Sequence, residues 1–253
     1  MMKRPSMIIF DYGHTLYNEE NFDAYKGSQA VLDIVTENPY DVTVATLVEK
    51  ASFMNLYIGR YEPDKVRDYL VEVHNLPFCR YLYEYYDLKF DRSLSEVESV
   101  FWDHAAPGKA TPHIQELLSY LKSIGIRTAV ISNLSFGGEA LVRRISQEID
   151  VHQFEFILST ADYLFRKPSP LIYDLALRKA KLKPEDVWYC GDNVYCDVEG
   201  AYKAGIQPIW YKGVNDTGVY NGIADRVVKP VSPECAHIAV GSWMEIIDLL
   251  EKS

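Results

Sequence analysis

Apolar and polar positions come in blocks along this chain. Met7-Ile8-Ile9-Phe10 is an uninterrupted apolar run that ends at Asp11. A short run without polar alternation predicts a strand buried on both faces. Thr128-Ala129-Val130-Ile131 repeats the pattern and stops at Ser132-Asn133, and Val187 to Cys190 repeats it again and stops at Gly191-Asp192. Phe154 to Leu158 and Pro208 to Tyr211 predict two more strands, and Arg226-Val227-Val228 a short sixth. Between these runs the period becomes helical. Ile114, Leu117, Leu118 and Leu121 fall at i, i+3, i+4 and i+7, one apolar helix face. Thr111-Pro112 reads as its N-cap and first turn, and Gly125 as its stop. Further helices are predicted around Glu139 to Ile149, from Ser169-Pro170 with Ile172, Leu175 and Ala176 inward, and from Trp243 to Leu250. Strands alternating with helices of this length predict an α/β fold, a parallel sheet with helices on both faces.

One stretch breaks the alternation. From about Asn18 to Ala106 the chain is polar, aromatic and helical in period, and tyrosines crowd it at 57, 61, 69, 81, 83, 85 and 86. No strong strand run occurs there, and the pattern shifts back at Pro107-Gly108. The expected organisation is a core of residues 1–17 and 107–253, with an all-helical cap of residues 18–106 over the strand ends. The tyrosines are expected to pack, with hydroxyls at the edge.

Composition narrows the class. The 253 residues are 48% hydrophobic and 25% charged, ordinary for a globular enzyme. The formal net charge of −10 argues against nucleic acid as a partner. The apolar run after Lys3 and Arg4 is too short for a signal peptide or a membrane span. Cys79, Cys190, Cys196 and Cys235 form no CxxC pair and read as free thiols in a reducing compartment. A cytoplasmic protein with no membrane partner is expected; the oligomeric state is not legible.

The chemistry lies where the strands end. In open parallel sheets ligands bind beyond the carboxyl ends of the strands. Asp11, Ser132, Lys167 and the pair Asp192/Asp197 all fall at such ends, so one pocket is expected to gather them. Taken singly, each has a plainer reading as a cap or a solvated charge. Together they suit phosphoryl transfer. A carboxylate attacks phosphorus and divides one hard step into two. Asp11 and Asp192, with the Gly13 carbonyl, offer hard oxygen ligands to Mg²⁺. Ser132 donates to a phosphoryl oxygen, and Lys167 sets a positive charge beside Asp11 and the phosphate.

The segments Asp11-Tyr12-Gly13-His14-Thr15-Leu16, Ile131-Ser132-Asn133, Arg166-Lys167-Pro168 and Gly191-Asp192-Asn193, the last followed by Asp197, Gly200, Ala201 and Gly205, resemble the motifs of the haloacid dehalogenase-like hydrolase superfamily. The resemblance runs from residue 7 to about 211. It implies a Rossmann-like core, a mobile helical cap and Mg²⁺. It also implies an aspartate nucleophile at Asp11, phosphate binding by Ser132, Asn133 and Lys167, and Asp192 as a metal ligand. Asp197 would be a ligand too, or would orient the metal's waters.

One departure stands out. Most phosphatases of this family carry a second aspartate two residues after the nucleophile, as general acid and base; here Gly13 stands there. Such a group contributes roughly 10²–10⁴-fold. His14 is a candidate replacement, although neighbouring side chains on an extended segment point opposite ways. The reading is a Mg²⁺-dependent phosphatase acting on a small phosphorylated metabolite through an aspartyl-phosphate. The alternatives are a 2-haloacid dehalogenase, or a weak or silent ligand-binding member. Arg60, Arg67, His74 and Arg80 are cap charges available to an anionic substrate, unmarked by any motif.

Overall fold

The computed structural model describes residues 3–59, 70–213 and 232–252. In chain order the strands are β1 (Met7–Phe10), β2 (Tyr17–Glu19), β3 (Val35–Glu37), β4 (Lys89–Phe90), β5 (Gly108–Ala110), β6 (Arg127–Ser132), β7 (Ile157–Ser159), β8 (Val187–Gly191), β9 (Gln207–Tyr211) and β10 (Ile238–Val240). Six of them form one sheet in the order β10-β9-β8-β1-β6-β7, with every neighbouring pair parallel. The chain therefore leaves β1 toward β6 and β7, then returns to β1's other side with β8 and continues outward. That reversal beside β1 is a topological switch point, where strand ends leave a crevice.

The apolar run of β1 is buried because both faces are covered. Ile8 and Phe10 join one core cluster with Ile114, Leu117, Leu118 and Leu121 and with Trp243, Ile246 and Leu250. Met7 and Ile9 point the other way, into a cluster with Ile172, Tyr173, Ala176 and Leu177. Ser169 caps the helix Pro170–Ala180 with Pro170 in its first turn, as predicted. The architecture is the expected Rossmann-like one.

Some boundaries differ. The outer strand is β10, whereas the segment 226–228 lies outside the described residues. Thr111 does not cap the helix Ile114–Ser123; His113 occupies that position with φ 64° and no side-chain cap bond. Tertiary contacts claim Thr111 instead: its hydroxyl donates to the Thr15 carbonyl at 2.8 Å and accepts from Trp243 Nε1 at 2.9 Å.

The inserted segment builds its own small core. Its described helices, Ala24–Leu32, Val44–Tyr57, Asn75–Tyr85 and Leu94–Ala105, enclose Val31, Leu47, Leu82 and Val97. It also holds a short antiparallel pair, β3 with β4, too brief to show as an apolar run. Tyr83 packs in this core, but Tyr57, Tyr81 and Tyr85 are exposed. Tyr81 and Tyr85, one turn apart, stack at 5.9 Å on the outer face, with Lys50 Nζ 3.8 Å from the Tyr85 ring centre. Tyr61 and Tyr69 lie outside the described residues.

Two crossings join this segment to the sheet: the chain leaves on β2 and returns on β5, which pair antiparallel. Buried Arg144 fastens both. Its guanidinium reaches Asp103 at 2.6 Å, Glu19 at 3.4 Å, the Tyr12 hydroxyl at 3.2 Å and the Ala106 carbonyl.

Candidate active site

Register places the expected residues side by side. Phe10 pairs with Val130 on β6 and with Cys190 on β8. Asp11, Ser132 and Asp192 therefore leave three adjacent strands at one end of the sheet. The backbone N–H of Asp11 still donates to Cys190 O at 2.8 Å, so the nucleophile candidate is held in the sheet's hydrogen-bond ladder.

Lys167 is the centre of the cluster. It sits on a loop, yet only 3% of it is exposed. Its ammonium donates to Asp11 Oδ1 at 2.7 Å, Asp197 Oδ1 at 2.6 Å and the Tyr189 hydroxyl at 2.8 Å. Three donors meet three acceptors, which is full satisfaction for a buried ammonium. Burial by itself would lower its proton affinity; Asp11 and Asp197 outweigh that and hold it above the usual lysine range.

Asp197 lies on a π-helical turn, Val194–Glu199, that follows β8. One oxygen meets Lys167 and the other accepts from the Asn193 N–H at 3.0 Å. Burial pushes its carboxyl up to about 6, against the pull of Lys167. Gly191 has to be glycine: a Cβ there would collide with the Asp197 carboxyl group. Asp192 is buried and accepts weakly from the Thr15 hydroxyl at 3.4 Å, while Trp210 Nε1 fixes its carbonyl at 3.0 Å. Burial first, then Asp197 and Asp11, drive its carboxyl well above the ordinary range.

Carboxylate oxygens of Asp11, Asp192 and Asp197 lie within 4.8 Å of one another. One ammonium among three acidic groups leaves an excess of buried negative charge. A divalent cation corrects such an imbalance and brings the raised carboxyl back to its ionised form. The donor set is all oxygen, the choice of a hard ion such as Mg²⁺. The residues therefore fit the metal the motifs imply.

The other expected residues take different positions. Ser132 is buried at the end of β6. Asn133, expected to bind phosphate, sits beside Lys167 and bonds to its backbone. Its Nδ2 donates to Lys167 O and its Oδ1 accepts from Lys167 N, both at 2.8 Å, so it clamps the lysine's loop. Gly13 is half-buried, and among the described residues a Cβ built on it would meet nothing within 4 Å. His14 has φ 54° and lines a cleft of about 760 Å³ together with residues 18–26. Of the cap charges, His74 lies 3.2 Å from Asp162 and Arg80 is exposed. Arg60 and Arg67 lie outside the described residues.

Sequence reasoning passed over Tyr189 and Trp210. Tyr189 read as one more apolar residue of β8. Its signal was the hydroxyl itself, because a tyrosine in a strand buried on both faces needs a polar partner. It accepts from Lys167 and donates to Ile131 O at 3.0 Å.

Comparison with known proteins points to one family. Residues 49–211 match the family model described as haloacid dehalogenase-like hydrolase; the stretch includes Ser132, Lys167, Asp192 and Asp197 and begins after Asp11. Haloacid dehalogenase-like hydrolase domain-containing protein 3 of Homo sapiens is 26% identical over 153 residues, 60% of this chain and 57% of that protein. Glyceraldehyde 3-phosphate phosphatase of Pyrococcus furiosus is 30% identical over 106 residues, 41% of this chain and 42% of the relative. The chain thus spans about half the length of these curated relatives. A 2-haloacid dehalogenase structure from Pseudomonas syringae pv. Tomato DC3000 superposes with a TM-score of 0.63 at 21% identity, covering 97% of this chain and 98% of that one, a likeness of fold. On the family match, across most of the parallel sheet, the chain belongs to the haloacid dehalogenase-like hydrolases.

Proposed function

We propose that this protein is a phosphatase of small phosphorylated metabolites and that Asp11 is its nucleophile. The observation that carries the reading is the buried Asp11–Lys167–Asp197 bridge, at 2.7 and 2.6 Å, with Asp192 against it. In the first step an Asp11 oxygen bonds to phosphorus and the bond from phosphorus to the ester oxygen breaks. That oxygen leaves with the electron pair and takes a proton from water, since Gly13 offers none. In the second step water attacks the aspartyl-phosphate, the Asp11 oxygen–phosphorus bond breaks, and inorganic phosphate departs. Lys167 keeps its charge throughout and faces the oxygens on which negative charge gathers. The Ser132 hydroxyl donates one more hydrogen bond there. Asp11, Asp192 and the Gly13 carbonyl would hold Mg²⁺, which offsets the repulsion between a carboxylate and a phosphate. Asp197, whose carboxylate lies within 4.8 Å of the other two, would be a further ligand or orient the metal's waters, and it also holds Lys167 and the turn at Asn193.

Residues 18–106 act in this reading as a cap over the core of 1–17 and 107–253, and the cap sets the substrate. The phosphatase names among the relatives support a small phosphorylated substrate, and glyceraldehyde 3-phosphate leads the candidates to be screened. No described helix is long and apolar enough to cross a membrane.

The test is phosphate release from p-nitrophenyl phosphate, with Mg²⁺ and with EDTA, by wild type and Asp11→Asn. Turnover that needs metal and vanishes in Asp11→Asn is expected. No phosphate release from wild type on a broad panel of phosphomonoesters overturns the reading. Halide release from 2-chloropropionate that survives EDTA would then identify a dehalogenase. Tight binding of a phosphorylated ligand without turnover, unchanged by Asp11→Ala, would identify a silent binder.

A further inference from the structure

We infer that Glu72, a residue of the inserted segment outside every motif, is a positioning residue for Lys167. Lys167 belongs to neither helix nor strand, so its backbone has to be fixed by contacts, and a loop-borne group is harder to hold in place than one on a strand. Asn133 supplies one clamp from the core. The second comes from the insertion.

Residues 70–72 lie antiparallel along 164–166, the three residues leading into Lys167. The Glu72 N–H donates to Leu164 O at 2.6 Å, the Arg166 N–H donates to Leu70 O at 2.8 Å, and Val71 bridges Phe165. At the end of this strap the Glu72 side chain is buried, with only 1% exposed. Its Oε2 accepts from Arg166 Nη1 at 2.9 Å and from the Thr160 hydroxyl at 3.2 Å. Thr160 in turn accepts from the Leu134 N–H at 3.1 Å, just past Asn133. One carboxylate thus reaches the residue before Lys167 directly, and the loop after Ser132-Asn133 through one hydroxyl. Those two loops carry the phosphate-facing groups of the proposed site.

A buried carboxylate is costly unless paired and hydrogen-bonded, and here Arg166 and Thr160 meet that need. The pairing makes seating of the strap and placement of the Lys167 loop a single event. Displacement of a catalytic group by about 1 Å costs on the order of 10²-fold in rate. Loss of the Glu72 charge therefore lowers kcat through Lys167 while leaving Asp11, Asp192 and Asp197 in place.

The inference rests on the phosphatase reading for its kinetic arm, so the experiment includes a second arm free of activity. Glu72→Gln keeps the shape and loses the charge. Arg166→Gln and the double variant complete a cycle. Backbone hydrogen exchange over residues 164–169 is compared with exchange over β1 and β8, alongside kcat and KM for p-nitrophenyl phosphate with Mg²⁺. In Glu72→Gln we expect exchange at 164–169 to rise at least tenfold with the strands unchanged, and kcat to fall roughly 10- to 100-fold with KM moving less than threefold. The double variant should lose no more than the worse single variant. Unchanged exchange at 164–169 overturns the inference. So does faster exchange with an unaltered kcat, which would leave Glu72 a mere anchor, and so does equal loosening of the strands, which would mean general destabilisation. If wild type releases no phosphate, the phosphatase reading fails by itself, and the exchange arm still decides whether Glu72 holds the lysine's loop.

Discussion

Lys167 Nζ lies 2.7 Å from Asp11 Oδ1, although 156 positions separate the two residues in the chain. The contact sets a fixed positive charge against the carboxylate proposed to attack phosphorus. Lys167→Met removes that charge while keeping most of the side-chain volume. Loss of one preorganised group of this kind costs about 10²–10³-fold in kcat. Steady-state kinetics on p-nitrophenyl phosphate check the expectation. Lys167→Arg should recover little, because a planar fork cannot meet the three acceptors that a compact ammonium meets here.

Gly13 predicts a gain. Without a general acid, turnover should fall steeply as the leaving group becomes more basic, from p-nitrophenyl to alkyl phosphates. Among the described residues a Cβ at Gly13 meets nothing within 4 Å, so the backbone leaves room to start the side chain of Gly13→Asp. The variant should raise kcat/KM on alkyl phosphates, by at least tenfold of the roughly 10²–10⁴ such a group supplies, and change p-nitrophenyl phosphate little. An equal change on both substrates would show that proton transfer does not limit the slow ones.

Glu98 predicts a pH dependence of stability. It is buried on the helix Leu94–Ala105, where Oε2 accepts from the Gly137 N–H at 3.1 Å. Burial raises its carboxyl from 4.5 to about 7. The folded state thus keeps a proton that the unfolded chain has already lost. The stabilising effect is full below about 4.5, declines as pH rises toward 7, and is absent above. Glu98→Gln, which stays neutral throughout, should leave stability at pH 4.5 nearly unchanged and raise it at pH 8 by up to about 3 kcal/mol. Denaturant unfolding of both proteins at the two pH values measures this.

Arg144 predicts a coupled loss at the crossings. Arg144→Met leaves half-buried Glu19 without its cation, a change worth up to roughly 3 kcal/mol, or on the order of 10 °C in Tm. Adding Glu19→Gln should restore part of it, since the stranded charge is gone. Differential scanning calorimetry of the single and double variants reads the recovery, and simple additivity would refute the pairing.

Local order was legible in the sequence wherever a residue's role depends on its near neighbours. The apolar runs at 7–10, 128–131 and 187–190 announced strands buried on both faces, because no polar position interrupts them. The i, i+3, i+4, i+7 face from Ile114 announced the helix that covers one of those faces. Asp11, Ser132 and Asp192 were readable as a site because each directly follows such a run, and parallel strands bring their ends together. Tertiary structure alone decided what each side chain meets. Thr111, a good cap by local rules, is drawn to Thr15 and Trp243. Asn133 clamps the Lys167 backbone with its side-chain amide. Tyr189, hidden in an apolar run, supplies the third acceptor for Lys167. Glu72 reaches Arg166 across 94 positions. Helix and strand periods follow from bonds between near neighbours and can be read along the chain. The partners of a buried charge are chosen by which segments the sheet and the insertion bring within 3 Å or so, and no local pattern encodes that choice.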